Sequence, residues 1–348
     1  MRVTFNRLHV GRSFVGAAAV MATFASPAWA AERYAALVID AHSKSVLHAD
    51  MADEERYPAS LTKMMTLYLL FESIDRGEVS LTDRMTVSRR ASAQPPTKLG
   101  LRPGEKITVE DALKALITKS ANDAAVVIAE HLAGSEARFA ARMTARAREL
   151  GMSKTRFMNA SGLPDARQVT TARDIAALSQ ALIEDYPQFY GYFQTPGMKW
   201  RRAYARNHNR LLGVVEGVDG IKTGYTQASG FNLASSAMRD GQRIIAVVLG
   251  GETALSRDNQ MRHLIDDAFM KLSLQASNVE QAGPGAPVTL TSAPMTRAGV
   301  EAVTGLSRIE RVAVDRPSFT APAPAAADAD PLARISEVLE RSRAEPLR

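Results

Sequence analysis

No cysteine occurs anywhere in the 348 residues. That excludes disulfides, a thiolate nucleophile and cysteine-held metals, so the core alone must hold the fold. Histidine is scarce, and His9, His42, His48, His131, His208 and His263 show no H-x-x-x-H or H-E-x-x-H spacing. No metal site and no cofactor is therefore expected. Long apolar runs are missing too: the stretch from Phe14 to Ala25 is too short to span a bilayer comfortably. No basic block is interleaved with aromatics, which leaves nucleic-acid binding without support. What is present is the balance of a folded chain, 46% hydrophobic and 23% charged.

The first thirty residues stand apart. Arg2, Arg7 and Arg12 form a basic head, a short apolar centre follows, and Ala28-Trp29-Ala30 closes it. These are the three parts of a secretory signal peptide, with cleavage expected near Ala30 and export to the periplasm or cell envelope. Removing the three arginines lowers the formal charge from +6 to +3. Residues 31–274 read as one catalytic-size domain, 275–320 as a short C-terminal extension and 321–331 as an Ala/Pro linker. Residues 332–348 fit a short tail helix with Leu332, Ile335, Val338 and Leu339 on one side. Mixed charge signs on its polar face favour a solvated tail over peripheral membrane contact.

Between these ends, RYAALVID and SVLHAD read as two short strands joined by a turn. A helix runs from Ser60 to about Asp75, apolar on nearly every side and so destined for the interior. The polar stretch SRRASAQPPTKLGLRPGE reads as surface loop. Four helices follow: TVEDALKALITKS, capped by Thr108 with Asp111 three residues on, then segments opening at SANDAA, SEARFAA and TARDIAA. Next come three strands, GVDGIKTGYT, GFNLASSAMRD and GQRIIAVVLGG, the last two joined by the hairpin signal Asp240-Gly241. DNQMRHLIDDAFMKL closes the domain as a helix. The pattern predicts a mixed α/β fold: an antiparallel β-sheet flanked by helices, with an inserted helical block.

Ser60 and Lys63 are out of place in a buried helix. At i and i+3 they share one face, close enough to meet. A neutral lysine can take the serine's proton, and desolvation in an apolar helix is one way to make it neutral. Backbone N–H groups at the helix start suit a developing oxyanion. Alone, S-x-x-K is a weak signal, expected about once by chance in a chain of this size. Two further motifs strengthen it. Ser120-Ala121-Asn122 falls where one helix ends and the next begins, a position where either polar residue could simply cap the second helix. Lys222-Thr223-Gly224 falls in a strand, where the glycine could simply mark an exposed edge. Each motif occurs once, in this order.

In these three motifs the chain resembles the penicillin-binding proteins and serine β-lactamases. YPASLTKMMT, KSANDAA, NASGLPD and NHNRLLGVVEGVDGIKTGYT narrow the resemblance to the low-molecular-mass D-alanyl-D-alanine carboxypeptidases, over roughly Arg33 to Leu272. It implies the penicillin-binding transpeptidase and β-lactamase-like fold, peptidoglycan stem peptides ending in D-Ala-D-Ala as substrate, and β-lactams as covalent inhibitors. It also implies roles. Ser60 attacks the carbonyl between two D-alanines and Lys63 takes its proton. Ser120 relays a proton to the departing amine, and Asn122 holds Lys63 and the substrate amide. Lys222 lowers the pKa of Lys63 and attracts the terminal carboxylate, which Thr223 also bonds; Gly224 lets the substrate approach. The N–H groups of Ser60 and Tyr225 form the oxyanion hole, and Arg257 takes the carboxylate in a bidentate hold. Tyr225 departs from the histidine that several relatives carry there. A D,D-transpeptidase or endopeptidase would use the same acyl-enzyme. A β-lactamase is less favoured, because no E-x-x-L-N motif lies between Ser120 and Lys222. A non-catalytic peptidoglycan-binding module would not need a base beside the serine.

Overall fold

The computed structural model describes residues 33–282. The signal peptide, the Ala/Pro linker, the tail helix and the extension beyond residue 282 lie outside the described residues. In chain order the elements are β1 (Ala35–Asp40), β2 (Val46–Asp50), α1 (Thr62–Asp75), β3 (Arg84–Thr86), α2 (Arg89–Ser92) and β4 (Lys106–Thr108). Then come α3 (Val109–Thr118), α4 (Asn122–Ala133), α5 (Glu136–Glu149), α6 (Ala172–Asp185) and α7 (Pro187–Tyr190). The chain continues with β5 (Gly197–Trp200), β6 (Ala203–Arg206), β7 (Val218–Thr226), β8 (Gly230–Arg239), β9 (Gln242–Gly251) and α8 (Ala254–Ala282).

As the pattern predicts, the first two strands and the last three share one antiparallel sheet, in the order β2-β1-β9-β8-β7. β9 is its middle strand, and alternate residues feed two cores. Ile245, Val247 and Leu249 face the larger core with α1, while Ile244, Ala246 and Val248 face the smaller core with α8. Burial on both faces explains why IIAVVL reads as an unbroken apolar run. The same logic explains α1. It lies between the sheet and the helical block, and every residue from Thr62 to Ser73 is buried.

Several local readings need correction. The stretch read as loop contains α2, capped by the Ser88 hydroxyl accepting from the Ala91 N–H. It is also flanked by the ribbon β3–β4, whose strands bury one residue each, Met85 and Ile107. Three residues are too few to show a period. The hairpin β5–β6 was invisible for a similar reason: its residues are mostly polar or exposed. The last helix starts four residues before Asp258 and runs on to Ala282, past the boundary drawn at 274. Thr108 caps α3 as expected, accepting from the Asp111 N–H. Among the described residues no helix is long and apolar enough to cross a membrane.

Candidate active site

Ser60 does not open the helix, as its sequence position suggests. It lies in a 3-10 turn, Ala59–Leu61, and α1 begins at Thr62. The turn is pinned from outside. The Asn232 side chain on β8 donates to the carbonyls of Tyr57 (2.9 Å) and Pro58 (3.2 Å) and accepts from the Gly250 N–H (2.9 Å). Ala59 holds a left-handed φ of 48°, a conformation that non-glycine residues adopt only under constraint. Across from it, a Cβ on Gly162 would sit 1.9 Å from the Ala59 carbonyl oxygen, so only glycine fits there. Gly224 on β7 approaches from a third side, so closely that a Cβ on it would sit 3.0 Å from the Ser60 nitrogen.

One turn on, Lys63 has no exposed surface. Its Nζ lies 2.8 Å from Asn122 Oδ1, 2.5 Å from the Ser161 carbonyl oxygen and 3.2 Å from Ser60 Oγ. The first two partners can only accept. Asn122 is fixed in that sense because its Nδ2 donates to the Pro95 carbonyl (3.0 Å). A neutral amine has two protons for those two acceptors, so its lone pair is left for the Ser60 hydroxyl. Burial pushes the Lys63 pKa well below the usual lysine range, Lys222 pushes it further, and buried Asp123 opposes both.

Ser120 and Asn122 stand opposite. Neither caps α4, whose N-cap is Ala121. Ser120 has φ 57°, and its buried hydroxyl has no hydrogen-bond partner among the described residues. The Thr97 hydroxyl donates to the Ser120 carbonyl (3.0 Å), and the Asn122 N–H donates to the Thr97 carbonyl (2.8 Å). The Asp123 carboxylate accepts from the N–H groups of Leu99, Gly100 and Leu101, tying the neighbouring loop to α4.

On the third side runs β7, an edge strand. Lys222 is 1% exposed, and burial first, then the Arg257 charge, bring its pKa down to about 7. Its Nζ donates to the Thr223 carbonyl (2.8 Å). Tyr225 is 54% exposed and stacks on Phe231, ring centres 4.2 Å apart. Ser60, Ser120, Asn122, Thr223, Gly224, Tyr225 and Arg257 all line one cleft of about 740 Å³. Lys63 and Lys222 lie buried behind its wall. The structure thus brings together all nine residues singled out in the sequence.

Arg257 is partly engaged by its neighbours. Its Nε and Nη2 both donate to Asp258 Oδ1 (2.9 and 2.6 Å), and Nη1 donates to the Asn232 carbonyl (2.9 Å). These bonds use three of its five N–H donors, and one on each of Nη1 and Nη2 is left over. Sequence reasoning also passed over Ser161, Asn232 and His208. Ser161 acts through a backbone carbonyl, which no side-chain pattern reveals. His208 lines the cleft, its pKa brought down to about 4 by burial and then by Lys222, Lys119, Lys63 and Arg210.

A family model described as D-alanyl-D-alanine carboxypeptidase matches residues 21–253 of the 348. The chain belongs to that family. Among its curated relatives, D-alanyl-D-alanine carboxypeptidase DacF of Bacillus subtilis is 35% identical over 242 residues, covering 68% of this chain and 62% of the relative. The matched region thus spans less than two thirds of that relative's length. Penicillin binding protein 6B of Escherichia coli shares 34% identity at a TM-score of 0.64, over 67% of this chain and 76% of that one. Penicillin-Binding Protein D2 of Listeria monocytogenes, solved in its cefotaxime-bound form, shares 32% identity at a TM-score of 0.63, over 68% of this chain and 97% of that one. These family members share the mixed α/β architecture described above.

Proposed function

We propose that the protein is a serine D,D-carboxypeptidase that removes the terminal D-alanine from peptidoglycan stem peptides. The observation that carries this reading is the Lys63 amine, buried, held by two acceptors and 3.2 Å from Ser60 Oγ, where a neutral amine keeps its lone pair for the hydroxyl. Ser60 Oγ attacks the carbonyl between the two D-alanines while its proton passes to Lys63 Nζ. The N–H groups of Ser60 and Tyr225 stabilise the oxyanion. The Ser120 hydroxyl, without a hydrogen-bond partner among the described residues, is available to pass a proton to the departing amine. D-Alanine leaves, and water then hydrolyses the ester on Ser60. The charges of Lys222 and the cleft arginines suit the terminal carboxylate, and a β-lactam, also anionic and carrying a strained amide, acylates the same serine. The likeness to a cefotaxime-bound penicillin-binding protein supports that second reaction. The basic, apolar and A-x-A pattern of residues 1–30 supports export to the cell envelope.

Mass spectrometry of a pentapeptide ending in D-Ala-D-Ala, incubated with the protein, tests the reading. A product lighter by one alanine is expected from the wild type and none from Ser60→Ala. An unchanged peptide in both would overturn it.

A further inference from the structure

We infer that Asn159, to which none of the three motifs gives a role, is a positioning residue for the reaction: its side-chain oxygen holds the N–H of the Ser161–Gly162 peptide and thereby aims that peptide's carbonyl at Lys63. Its role rests on the carboxypeptidase reading, in which Lys63 takes the proton of Ser60.

Asn159 opens NASGLPD, a stretch between α5 and α6 whose Ser161, Gly162 and Leu163 line the catalytic cleft. Its Oδ1 accepts from the Gly162 N–H at 2.7 Å, and more loosely from the Ser161 N–H (3.2 Å) and hydroxyl (3.3 Å). Its Nδ2 donates to the Leu163 carbonyl (3.0 Å), which fixes which end of the amide is oxygen. The Gly162 N–H and the Ser161 carbonyl belong to one peptide group. In a planar trans peptide these two point in opposite directions, so gripping the N–H on one side sets the carbonyl on the other. There the carbonyl meets Lys63 Nζ at 2.5 Å. A peptide whose N–H is bonded is also a stronger acceptor at its oxygen.

Other groups hold the rest of the stretch. Gln168 Oε1 accepts from the N–H groups of Met158 (3.0 Å) and Asn159 (3.3 Å). The buried Glu136 carboxylate accepts from the Ala160 N–H (3.2 Å), and the Thr66 hydroxyl donates to the Ala160 carbonyl (2.7 Å). None of these bonds to the Ser161–Gly162 peptide. Loss of the Asn159 side chain therefore leaves the loop anchored and releases the one peptide that faces the base.

Lys222 from β7 and Asp123 from α4 act on Lys63 through their charge, His208 faces it across the cleft, and Glu136 reaches the loop from α5. None of the four bonds to Asn159 among the described residues, so an Asn159 variant leaves them in place. An ammonium depends on a carbonyl acceptor more than a neutral amine does. Releasing the Ser161 carbonyl should thus make Lys63 harder to protonate and also aim it less well. A loss of stability alone does not produce that pair of effects.

Stopped-flow acylation by a fluorescent penicillin across pH 5–9 tests this in wild type, Asn159→Ala and Asn159→Asp. Asn159→Ala should lower the plateau rate about tenfold and move the acid limb about one pH unit lower, the scale of one hydrogen bond to a charged group. Asn159→Asp keeps an acceptor oxygen for the Gly162 N–H and adds a negative charge. It should recover part of the plateau and move the limb to higher pH. A limb that stays in place or rises in Asn159→Ala would overturn the assignment, whatever the plateau does. So would an Asn159→Asp variant that recovers none of the plateau. If the wild type is not acylated and releases no D-alanine, the carboxypeptidase reading fails separately. NMR titration of the lysine side chains then decides the matter: a lower Lys63 pKa in Asn159→Ala than in wild type sustains the assignment, and an unmoved one overturns it.

Discussion

At the scale of single residues, the site turns on a lysine kept from being charged. Burial supplies most of that effect and Lys222 the next part, so Lys222 acts on Lys63 as well as on the cleft. Removing the Lys222 charge makes the Lys63 ammonium easier to form, which raises its pKa. In Lys222→Met the acid limb of the acylation rate should therefore move to higher pH, with slower acylation at neutral pH. Stopped-flow acylation by a fluorescent penicillin across pH 5–9 reads this; a limb that stays in place would show that Lys222 does not tune Lys63. The two acceptors on Lys63 matter equally. Losing either would free the amine to turn from Ser60, since a neutral amine donates only twice.

At the scale of elements, three segments meet at the 3-10 turn: the start of α1, the loop around Gly162 and the strand β7. Gly162 is the tightest joint, with φ +84° and no room for a Cβ. Gly162→Ala should destabilise the fold by about 2 kcal/mol, from left-handed strain plus the clash with Ala59. Because the clash falls on the residue before the nucleophile, acylation should slow more than stability alone explains. Urea unfolding and acylation rates on the same sample test both parts; a full-speed, fully stable variant would refute the account. Long periodic elements such as α1, α3 and β9 were legible because burial writes a repeating pattern into them. The ribbon β3–β4 and hairpin β5–β6 were not, being too short or too exposed to carry a period. Among site residues, Ser60, Lys63, Ser120 and Lys222 were legible as motifs of reactive side chains. The Ser161 carbonyl and the locking role of Asn232 were not, because they arise from tertiary contact between segments distant in sequence. Arg257 was legible as a charge in the cleft but not as one already engaged by Asp258.

At the scale of the whole molecule, two buried lysines make stability depend on pH. Both have folded-state pKa values below 10.5, and Lys222 sits at about 7. Between those folded values and 10.5 the unfolded chain binds more protons than the folded one, so stability rises with pH across that window. Above pH 10 the buried Tyr68 and Tyr190, whose pKa values are raised, oppose the trend. Thermal unfolding should therefore show a larger gain in Tm from pH 7 to 9.5 in the wild type than in a Lys63→Met, Lys222→Met double variant. Equal gains would mean that these lysines are not the source. The position of β7 at the sheet's end has a consequence of another kind. A strand at the border of a sheet keeps one row of peptide groups free of ladder partners, and any extended chain can dock there, including a second copy of the same strand. The feature that leaves room for a peptide beside Ser60 thus also exposes the molecule to self-templated association. The Ser60 turn, packed against Gly224, interrupts that border. Seen this way, the nucleophile's own scaffold doubles as a guard against aggregation.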